Sequence, residues 1–295
     1  MRQNPFSLEN QASYEQWRDQ KLATYPLNLS SLIVSLTPNE ANHFAALQTL
    51  KHHCQHYNFA VYRFSNPAQV TKQHLHALAQ ALGLTGLHAN LCADEDSLSA
   101  ITQTQHAGQH DYIPYTDKAL SWHTDGYYHS EDQMIHGMLL HCMQPALNGG
   151  ESRWLDHEIA YILLRDANPA YIEALMHPEA LVIPENILNG VVIRPISIGP
   201  VFRVRQGQLH MRYSARQRNI QWRNDPMTQE AVEYLAHLWA EDQSPYIVSH
   251  TLQAGEGLVC NNVLHNRSAF VDSPDTGKQR LLYRGRYLQR VEQPT

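Results

Sequence analysis

From residue 116 onward, short apolar segments alternate with turn residues, and this pattern limits the possible folds more than any other feature of the chain. Segments such as KALSWHTD, MIHGMLLHCM and ESRWLD have the length and the composition of strands. Further strands are predicted in PYIVSHTL, GLVCNNVLH and QRLLYRGRYLQ, and a hairpin in VFRVRQGQLHMRYS that turns at Gln206-Gly207. Many short strands with scattered helices favour a β-sandwich or jelly roll with helical insertions.

The helices are predicted from their start signals and apolar spacing. Asn168-Pro169 favours a capped start for a helix over 169–176, which follows a helix over 157–166. DPMTQEAVEYLAHLWAED is a strong helix pattern with Asp225 as its N-cap, and VTKQHLHALAQALG is predicted to begin after Thr71 and to end at Gly83. The segment FAVYRF (59–64) lies before the helix that is predicted to begin after Thr71. Its residues alternate in character as those of a strand do.

The length and texture of the chain indicate one domain. Its 295 residues suit a single large unit, and the sequence contains no repeat, low-complexity tract or linker. We therefore expect one α+β domain over residues 1–295, mainly β, with a helical N-terminal part over about residues 1–58 and an insertion over about residues 156–245.

Charge and composition argue against several classes of protein. A net charge of −6 with a pI of about 6.3 disfavours a nucleic-acid binder. The N-terminus lacks the apolar core of a signal peptide, and no segment approaches the roughly 18 apolar residues of a membrane span. The four cysteines form no CxxC pair and are predicted to be reduced, buried thiols. We expect a cytoplasmic protein with a small-molecule partner and no membrane or nucleic-acid partner; a homo-oligomer stays open.

The segment SWHTDGYY places a histidine and an aspartate two residues apart. In a strand, residues i and i+2 point to the same face, so His123 and Asp125 are expected to aim an imidazole and a carboxylate at one point. Such a pair of side chains is well suited to bind a divalent metal ion. With 19 histidines in the chain, an HxD pair also arises by chance, so the interpretation depends on further ligands.

His265 is the best candidate for a third ligand, because it ends the apolar segment VCNNVLH and is followed by polar residues. Two histidines and one carboxylate form the ligand set of non-haem Fe(II) oxygenases, which leaves coordination positions open for a cosubstrate and O₂. Zinc is the rival metal, since the same ligands hold zinc in metalloproteases. Those proteases usually present HExxH on a helix, and this chain has no HExxH.

Two further residues favour iron with 2-oxoglutarate. The distal carboxylate of 2-oxoglutarate requires a cationic partner, and arginine can bind a carboxylate through two hydrogen bonds. Arg280 follows His265 by 15 residues and is placed for this role. The hydroxyl of Ser152, in the segment GGES, is expected to add a second hydrogen bond. A zinc hydrolase has no need of this pair.

The segments WHTDG, NGGES, NNVLHNRSAF and KQRLLYRGRY, in this order and spacing, resemble the taurine dioxygenase/TfdA family of Fe(II)- and 2-oxoglutarate-dependent oxygenases. The resemblance covers roughly residues 55–290. It implies iron ligands at His123, Asp125 and His265, a 2-oxoglutarate arginine at Arg280, and Ser152 in place of the family's threonine. The implied fold is a double-stranded β-helix, a jelly roll.

The resemblance also implies an activity. Such an enzyme couples oxidative decarboxylation of 2-oxoglutarate by O₂, with release of succinate and CO₂, to hydroxylation of an unactivated C–H bond. The expected substrate is a small polar or zwitterionic metabolite, similar to an amino acid, a betaine or a sulfonate. Desaturation or cyclisation at the same site, and a non-catalytic jelly-roll binding protein, are the alternatives.

Candidate substrate residues lie around the metal motif. Tyr115 precedes His123 by eight residues, which is similar to the spacing of a cage tyrosine in the γ-butyrobetaine hydroxylase branch of the family, and aromatic faces attract quaternary cations. Tyr127 is a second pocket candidate, although such tyrosines often simply pack. Arg284 is expected to bind a substrate anion or the cosubstrate, with a structural salt bridge as the alternative. The resemblance does not extend to the extra N-terminal domain of that branch or to its other cage residues, so it does not give the identity of the substrate.

Overall fold

The structure is a computed structural model that describes residues 4–26, 28–38, 43–88, 98–103, 113–216, 218, 220–240, 244–275 and 277–293. Within these residues the helices are α1 (Gln11–Thr24), α2 (His43–Tyr57), α3 (Lys72–Ala81), α4 (His157–Ala167), α5 (Pro169–Leu175) and α6 (Pro226–Ala240). The strands are β1 (Ile33–Leu36), β2 (Phe59–Phe64), β3 (Ser99–Ile101), β4 (Leu120–His123), β5 (Gly137–Gln144), β6 (Asn148–Gly149), β7 (Ser152–Leu155), β8 (Leu181–Ile183), β9 (Asn186–Leu188), β10 (Val191–Arg194), β11 (Ser197–Gly199), β12 (Phe202–Arg205), β13 (Gln208–Met211), β14 (Gln221–Trp222), β15 (Val248–His250), β16 (Glu256–Cys260), β17 (Leu264–Arg267), β18 (Phe270–Val271) and β19 (Leu281–Tyr287).

Two facing sheets form the centre of the molecule. The larger sheet has six strands in the order β1-β2-β16-β5-β19-β3, and the smaller has four in the order β15-β7-β17-β4. Trp154 of the smaller sheet is fully buried and packs edge-on against Phe59 of the larger one, with ring centroids 5.8 Å apart. This mainly β, two-sheet architecture with added helices is the predicted jelly roll.

Local signals in the sequence account for the helix boundaries. Asn168 caps α5 by accepting a hydrogen bond from the Ala170 N–H at 3.0 Å, as its predicted start requires. The side chain of Asp225 accepts from the Thr228 N–H at 3.1 Å at the predicted start of α6. Gly83, with φ of +81°, follows α3 in the left-handed conformation that ends many helices.

Two regions differ from the expected element pattern. The N-terminal part contains α1 and α2 but also β1, which pairs in parallel with β2 and was not predicted. The region around residues 156–245 holds α4 to α6 together with strands β8 to β14. The predicted hairpin of β12 and β13 is present there, and Gln206 and Gly207 both have positive φ, as a two-residue turn requires.

The cysteines agree with the prediction of reduced thiols where the structure describes them. Cys54, Cys142 and Cys260 are buried and free. Cys92 lies outside the described residues. In the described part of the chain, no helix has both the length and the apolar character needed to cross a membrane.

Candidate metal centre and cosubstrate pocket

His123 and His265 stand side by side on neighbouring strands of the smaller sheet. The register of β4 and β17 pairs these two residues directly, and their rings lie 4.2 Å apart between centroids. Nδ1 of His123 is 2.9 Å from the Ser121 carbonyl oxygen, and Nδ1 of His265 is 2.9 Å from the Val263 carbonyl oxygen. Because a carbonyl only accepts, each Nδ1 carries the proton and each Nε2 is left free to bind a metal.

Asp125 follows β4 and is held in place by Asn262. The side-chain oxygen of Asn262 accepts from the Asp125 N–H at 2.8 Å, and its amide nitrogen donates to the Asp125 carbonyl at 2.9 Å and to the Ile135 carbonyl at 2.7 Å. Asn262 has a φ of +53° and precedes His265 by three residues. One amide therefore ties the HxD turn to the strand that carries His265.

Ligand atoms of His123, Asp125 and His265 all lie within 4.8 Å of one another, and no other such group of three occurs among the described residues. Oδ2 of Asp125 is buried and accepts no hydrogen bond in the described part of the chain, although Nη1 of Arg284 lies 3.3 Å from it. A buried carboxylate oxygen that accepts no hydrogen bond is stabilised by a bound cation. The two histidine Nε2 atoms and this oxygen fit a divalent metal such as iron.

Electrostatics keep Asp125 and His265 in the protonation states that a metal requires. Burial alone raises the pKa of Asp125, but Arg284, His123 and His265 outweigh it and hold that pKa well below its ordinary value. Burial and the neighbouring His123 lower the pKa of His265 to about 4. Asp125 is therefore charged and His265 neutral near pH 7.

Arg280 and Ser152 line one pocket. The other lining residues lie on β5, in the loop after it, on and next to β6, before β16 and on β19: Cys142, Pro145, Ala146, Gly149, Gly150, Thr251, Leu252 and Leu282. Arg280 is 5% exposed, and its guanidinium lies over the ring of Phe270 at 5.0 Å. Its backbone N–H donates to the Asp272 carboxylate at 2.6 Å, whereas its guanidinium has no acceptor among the described residues. The pocket thus offers an unpaired buried cation beside a hydroxyl.

Arg284 and Arg286 extend from alternate positions of β19 toward the metal centre. Nη1 of Arg284 is 3.3 Å from Oδ2 of Asp125. Nη1 of Arg286 donates to the Tyr128 hydroxyl at 3.0 Å. The salt bridge weighed for Arg284 is therefore present, and its partner is the candidate metal ligand itself.

The two candidate substrate tyrosines lie in different surroundings. Tyr127 is half-buried, and its ring lies edge-on to the His123 ring with centroids 6.5 Å apart. Tyr115 is 3% exposed and packs in an apolar cluster with Leu252 and Leu282, which also line the Arg280 pocket. Tyr127 thus borders the candidate metal centre, while Tyr115 stands behind the pocket of Arg280 and Ser152.

One positioning residue carries no sequence signal. Arg212 is buried and donates from Nε to the Tyr127 carbonyl at 2.7 Å, and its other nitrogens bind the carbonyls of Leu181, Ser197 and Gly199. It thereby fixes the segment after Asp125 against the β8–β11 region. No local pattern marks Arg212, because its acceptors come from three separate parts of the chain.

Comparison with known proteins agrees with this geometry. The profile described as "Taurine catabolism dioxygenase TauD, TfdA family" matches residues 34–286. The chain belongs to this family. It is an iron- and 2-oxoglutarate-dependent dioxygenase, as the sequence resemblance predicts. No curated protein matches the sequence.

Solved structures of non-haem iron oxygenases share the fold. Asparagine oxygenase, in complex with Fe(II), 3-hydroxyasparagine and succinate, superposes with a TM-score of 0.61 at 16% identity, covering 96% of this chain and 85% of that one. The oxygenase OrfP, in complex with Fe and α-ketoglutaric acid, gives a TM-score of 0.62 at 16% identity, covering 95% and 92%. OrfP with Fe, succinate and (3S)-hydroxy-L-Arg gives 0.59 at 16% identity, covering 86% and 93%.

Proposed function

We propose that this dioxygenase hydroxylates an unactivated C–H bond of a small zwitterionic metabolite similar to an amino acid, with release of succinate and CO₂. The observation that carries the proposal is the grouping of His123, Asp125 and His265 near Arg284, with the Arg280 and Ser152 pocket formed by the adjoining strands. The products bound in two solved relatives of the same fold, hydroxyasparagine and hydroxyarginine, support the amino-acid class.

The proposed metal ligands are Nε2 of His123, Nε2 of His265 and the carboxylate of Asp125. Iron bound there supplies the oxidising chemistry, which the side chains of the protein cannot provide. The chain's own part is to hold the ligands in position. The Ser121 and Val263 carbonyls fix the two imidazoles, and Asn262 fixes the aspartate, so little rearrangement is needed when the metal binds.

Arg280 and Ser152 are proposed to bind the distal carboxylate of 2-oxoglutarate. The buried guanidinium has no protein acceptor in the described residues, and Leu282 and Cys142 give the pocket apolar walls. A charge-assisted hydrogen bond is strong in such surroundings because water does not compete for it. Ser152 keeps the hydroxyl donor while offering less bulk than threonine.

Arg284 and Tyr127 are proposed to contact the substrate, with Arg284 near its carboxylate. Asp125 balances Arg284 in the structure, and a metal ion bound by Asp125 would share the charge of that carboxylate. The positive charge of Arg284 would then be available to a substrate anion at the edge of the metal centre. Tyr115 remains a predicted substrate residue, and it packs against Leu282 behind the pocket.

The test is succinate formation from 2-oxoglutarate with Fe(II) and ascorbate, measured alone and with a panel of amino acids, betaines and sulfonates. We expect slow uncoupled succinate formation and a marked increase with an amino acid, together with a product heavier by one oxygen atom. A product lighter by two hydrogens would instead identify desaturation or ring closure. The complete absence of succinate under all conditions would favour the non-catalytic binding protein.

A further inference from the structure

Arg286 is a buried cation with no carboxylate partner among the described residues. It is 4% exposed, and its Nη1 donates to the Tyr128 hydroxyl at 3.0 Å. Its Nη2 lies 3.5 Å from Nδ1 of His88, and its Nε is buried without an acceptor. Buried charges are normally paired through direct hydrogen bonds. Arg286 thus keeps an unused donor, Nε, near the candidate metal centre.

Apart from the nearby Asp125, the groups around Arg286 are donors or aromatic rings. The rings of His88 and His129 lie 4.5 Å apart, and Nε2 of His129 is buried without a partner in the described chain. Arg194 lies over the ring of Tyr128 at 5.6 Å. These side chains can donate to an anion, and none of them neutralises Arg286.

Asp125 is close enough to both arginines to affect their charge, but only Arg284 contacts it directly. It lies 3.3 Å from Arg284 and belongs to the candidate metal ligands. The guanidiniums of Arg284 and Arg286 on β19 therefore face a single carboxylate, that of Asp125, which would also bind the metal. A substrate with a single carboxylate, assigned above to Arg284, leaves the charge of Arg286 unbalanced.

We propose that Arg286, with Tyr128 and His88, binds a second acidic group of the substrate, so that the preferred substrate is an acidic amino acid rather than its amide. This inference rests on the proposed function and narrows its substrate class. An acid and its amide have almost the same shape, so a preference between them reports on charge at this position.

The experiment compares aspartate with asparagine and glutamate with glutamine as stimulants of succinate formation, in the wild type, Arg286→Gln, Arg286→Lys and the control Arg205→Gln. Arg205 is exposed at the turn of the β12–β13 hairpin. We expect the wild type and the control to favour the acid at least tenfold in kcat/KM for one pair. Arg286→Gln should abolish this preference, and Arg286→Lys should restore part of it.

Several outcomes would overturn the inference. These are equal or better stimulation by the amides, no response to either acid, or an unchanged acid-to-amide ratio in Arg286→Gln. Succinate formation in the absence of any amino acid shows that the proposed enzyme is active, so it distinguishes these outcomes from a failure of the proposed function. If uncoupled turnover is present and the acid preference is absent, only the assignment of Arg286 fails.

A second, independent observation concerns the segment from residue 186 to residue 198, here called the apolar hairpin. β9 and β10 form a two-stranded sheet closed by Asn189-Gly190, both with positive φ. Leu188 pairs with Val191 on one face, and Ile187 pairs with Val192 on the other. All four are more than half exposed, so the rest of the described chain covers neither face.

Each face of the hairpin exposes an apolar patch. Besides these four, Ile193, Ile196 and Ile198 are 40%, 55% and 54% exposed. On both faces together these aliphatic residues present on the order of 700 Å², so a single face presents roughly half of that, within the roughly 300–600 Å² of the largest and often functional patch on a monomer. The outer edges of both strands are also unpaired in the described sheets, so a second strand can add to either of them.

We infer that the apolar hairpin pairs with the hairpin of a second copy of this chain. A two-fold contact brings the same patch from both copies together, so an apolar patch without charged residues at its tip complements itself. A lone two-stranded hairpin is also marginally stable in water, and pairing would stabilise it.

The test is the molar mass in solution by sedimentation over a wide concentration range. We expect a dimer for the wild type and for the control Phe44→Glu, which alters a 68% exposed residue on α2, and a monomer for Leu188→Glu combined with Val191→Glu. A far-UV spectrum like that of the wild type shows that the double variant is folded. A monomeric wild type at about 100 μM, or a folded double variant that stays dimeric, would overturn the inference.

Discussion

Asn262 binds the backbone of Asp125 at both ends, accepting from its N–H at 2.8 Å and donating to its carbonyl at 2.9 Å. The two residues are 137 positions apart in the chain. The candidate ligand Asp125 is therefore positioned by the turn that leads into the strand of His265, and the ligands are coupled before any metal binds.

Replacing Asn262 should weaken metal binding. Asn262→Ala removes both hydrogen bonds and places alanine at a φ of +53°, so we expect a 10- to 100-fold loss of Fe(II) affinity, about 1.4–2.7 kcal/mol, and a lower Tm. Asn189→Ala is the control, because Asn189 has a φ of +51° in an exposed turn. Equal Fe(II) affinity in the two variants would show that Asn262 does not position Asp125.

The two candidate histidine ligands should be individually indispensable. His123→Ala and His265→Ala each leave two protein ligands, which seldom retain a labile iron, so we expect no measurable Fe(II) binding and no turnover. Titration with Fe(II) under anaerobic conditions checks the first and succinate formation the second. Full turnover by either variant would show that the ligand set is wrong.

Arg280 should control the affinity for 2-oxoglutarate rather than for the metal. Arg280→Ala removes a charge-assisted hydrogen bond in a buried pocket, so we expect 2-oxoglutarate binding to weaken by about 2–5 kcal/mol. Ser152→Ala should cost about 0.5–1.5 kcal/mol, and Ser152→Thr should be close to wild type. Calorimetric titration with 2-oxoglutarate measures the affinity of each variant. An unchanged affinity in Arg280→Ala would move the cosubstrate arginine to Arg284.

Acid should destabilise the fold beginning near pH 6.5. Burial lowers the pKa of His210 to about 2, of His157 to about 3 and of His141 to about 4. These histidines stay neutral in the folded protein but take up protons when it unfolds. Above the pKa of the unfolded chain they therefore do not lower the free energy of unfolding, and below it they lower that free energy increasingly as the pH falls. At pH 5.5 each costs about 1.4 kcal/mol of the free energy of unfolding.

His141 offers a direct check of this pH dependence. Its side chain is fully buried, stacks on Tyr62, and has no partner for either ring nitrogen among the described residues. His141→Leu should reduce the fall in stability between pH 7 and 5.5 by about 1.2 kcal/mol, while His237→Leu, at an exposed site on α6, should leave it unchanged. Denaturant unfolding at several pH values measures the slope, and equal slopes in the wild type and His141→Leu would contradict the assignment.

Tyr115 tests whether the aromatic side chain serves the substrate or the core. It packs with Leu282 and Leu252, so Tyr115→Ala should lower the free energy of unfolding by about 3–5 kcal/mol through the cavity it leaves. A substrate role predicts in addition a changed order of rates across the amino-acid and betaine panel. An early melting transition with wild-type relative rates would remove Tyr115 from the substrate residues.

Features that depend on neighbouring residues could be read from the sequence. The i and i+2 spacing of His123 and Asp125, the capped start at Asn168 and the turn at Gln206-Gly207 are local, because strand alternation and turn conformation involve only adjacent residues. Their spacing to His265, Ser152 and Arg280 also carried the family resemblance. The sequence by itself therefore determined the class of enzyme and the candidate ligands.

Only the tertiary structure decided how these segments meet. Arg284 contacts Asp125 across 159 positions, and Arg212 binds carbonyls from three separate segments. The unpaired charge of Arg286, the buried position of Tyr115 and the exposed faces of the apolar hairpin likewise depend on strand register and on packing between the sheets. Such contacts arise between residues distant in the chain, and no local pattern encodes which side chain is left without a partner when the sheets close.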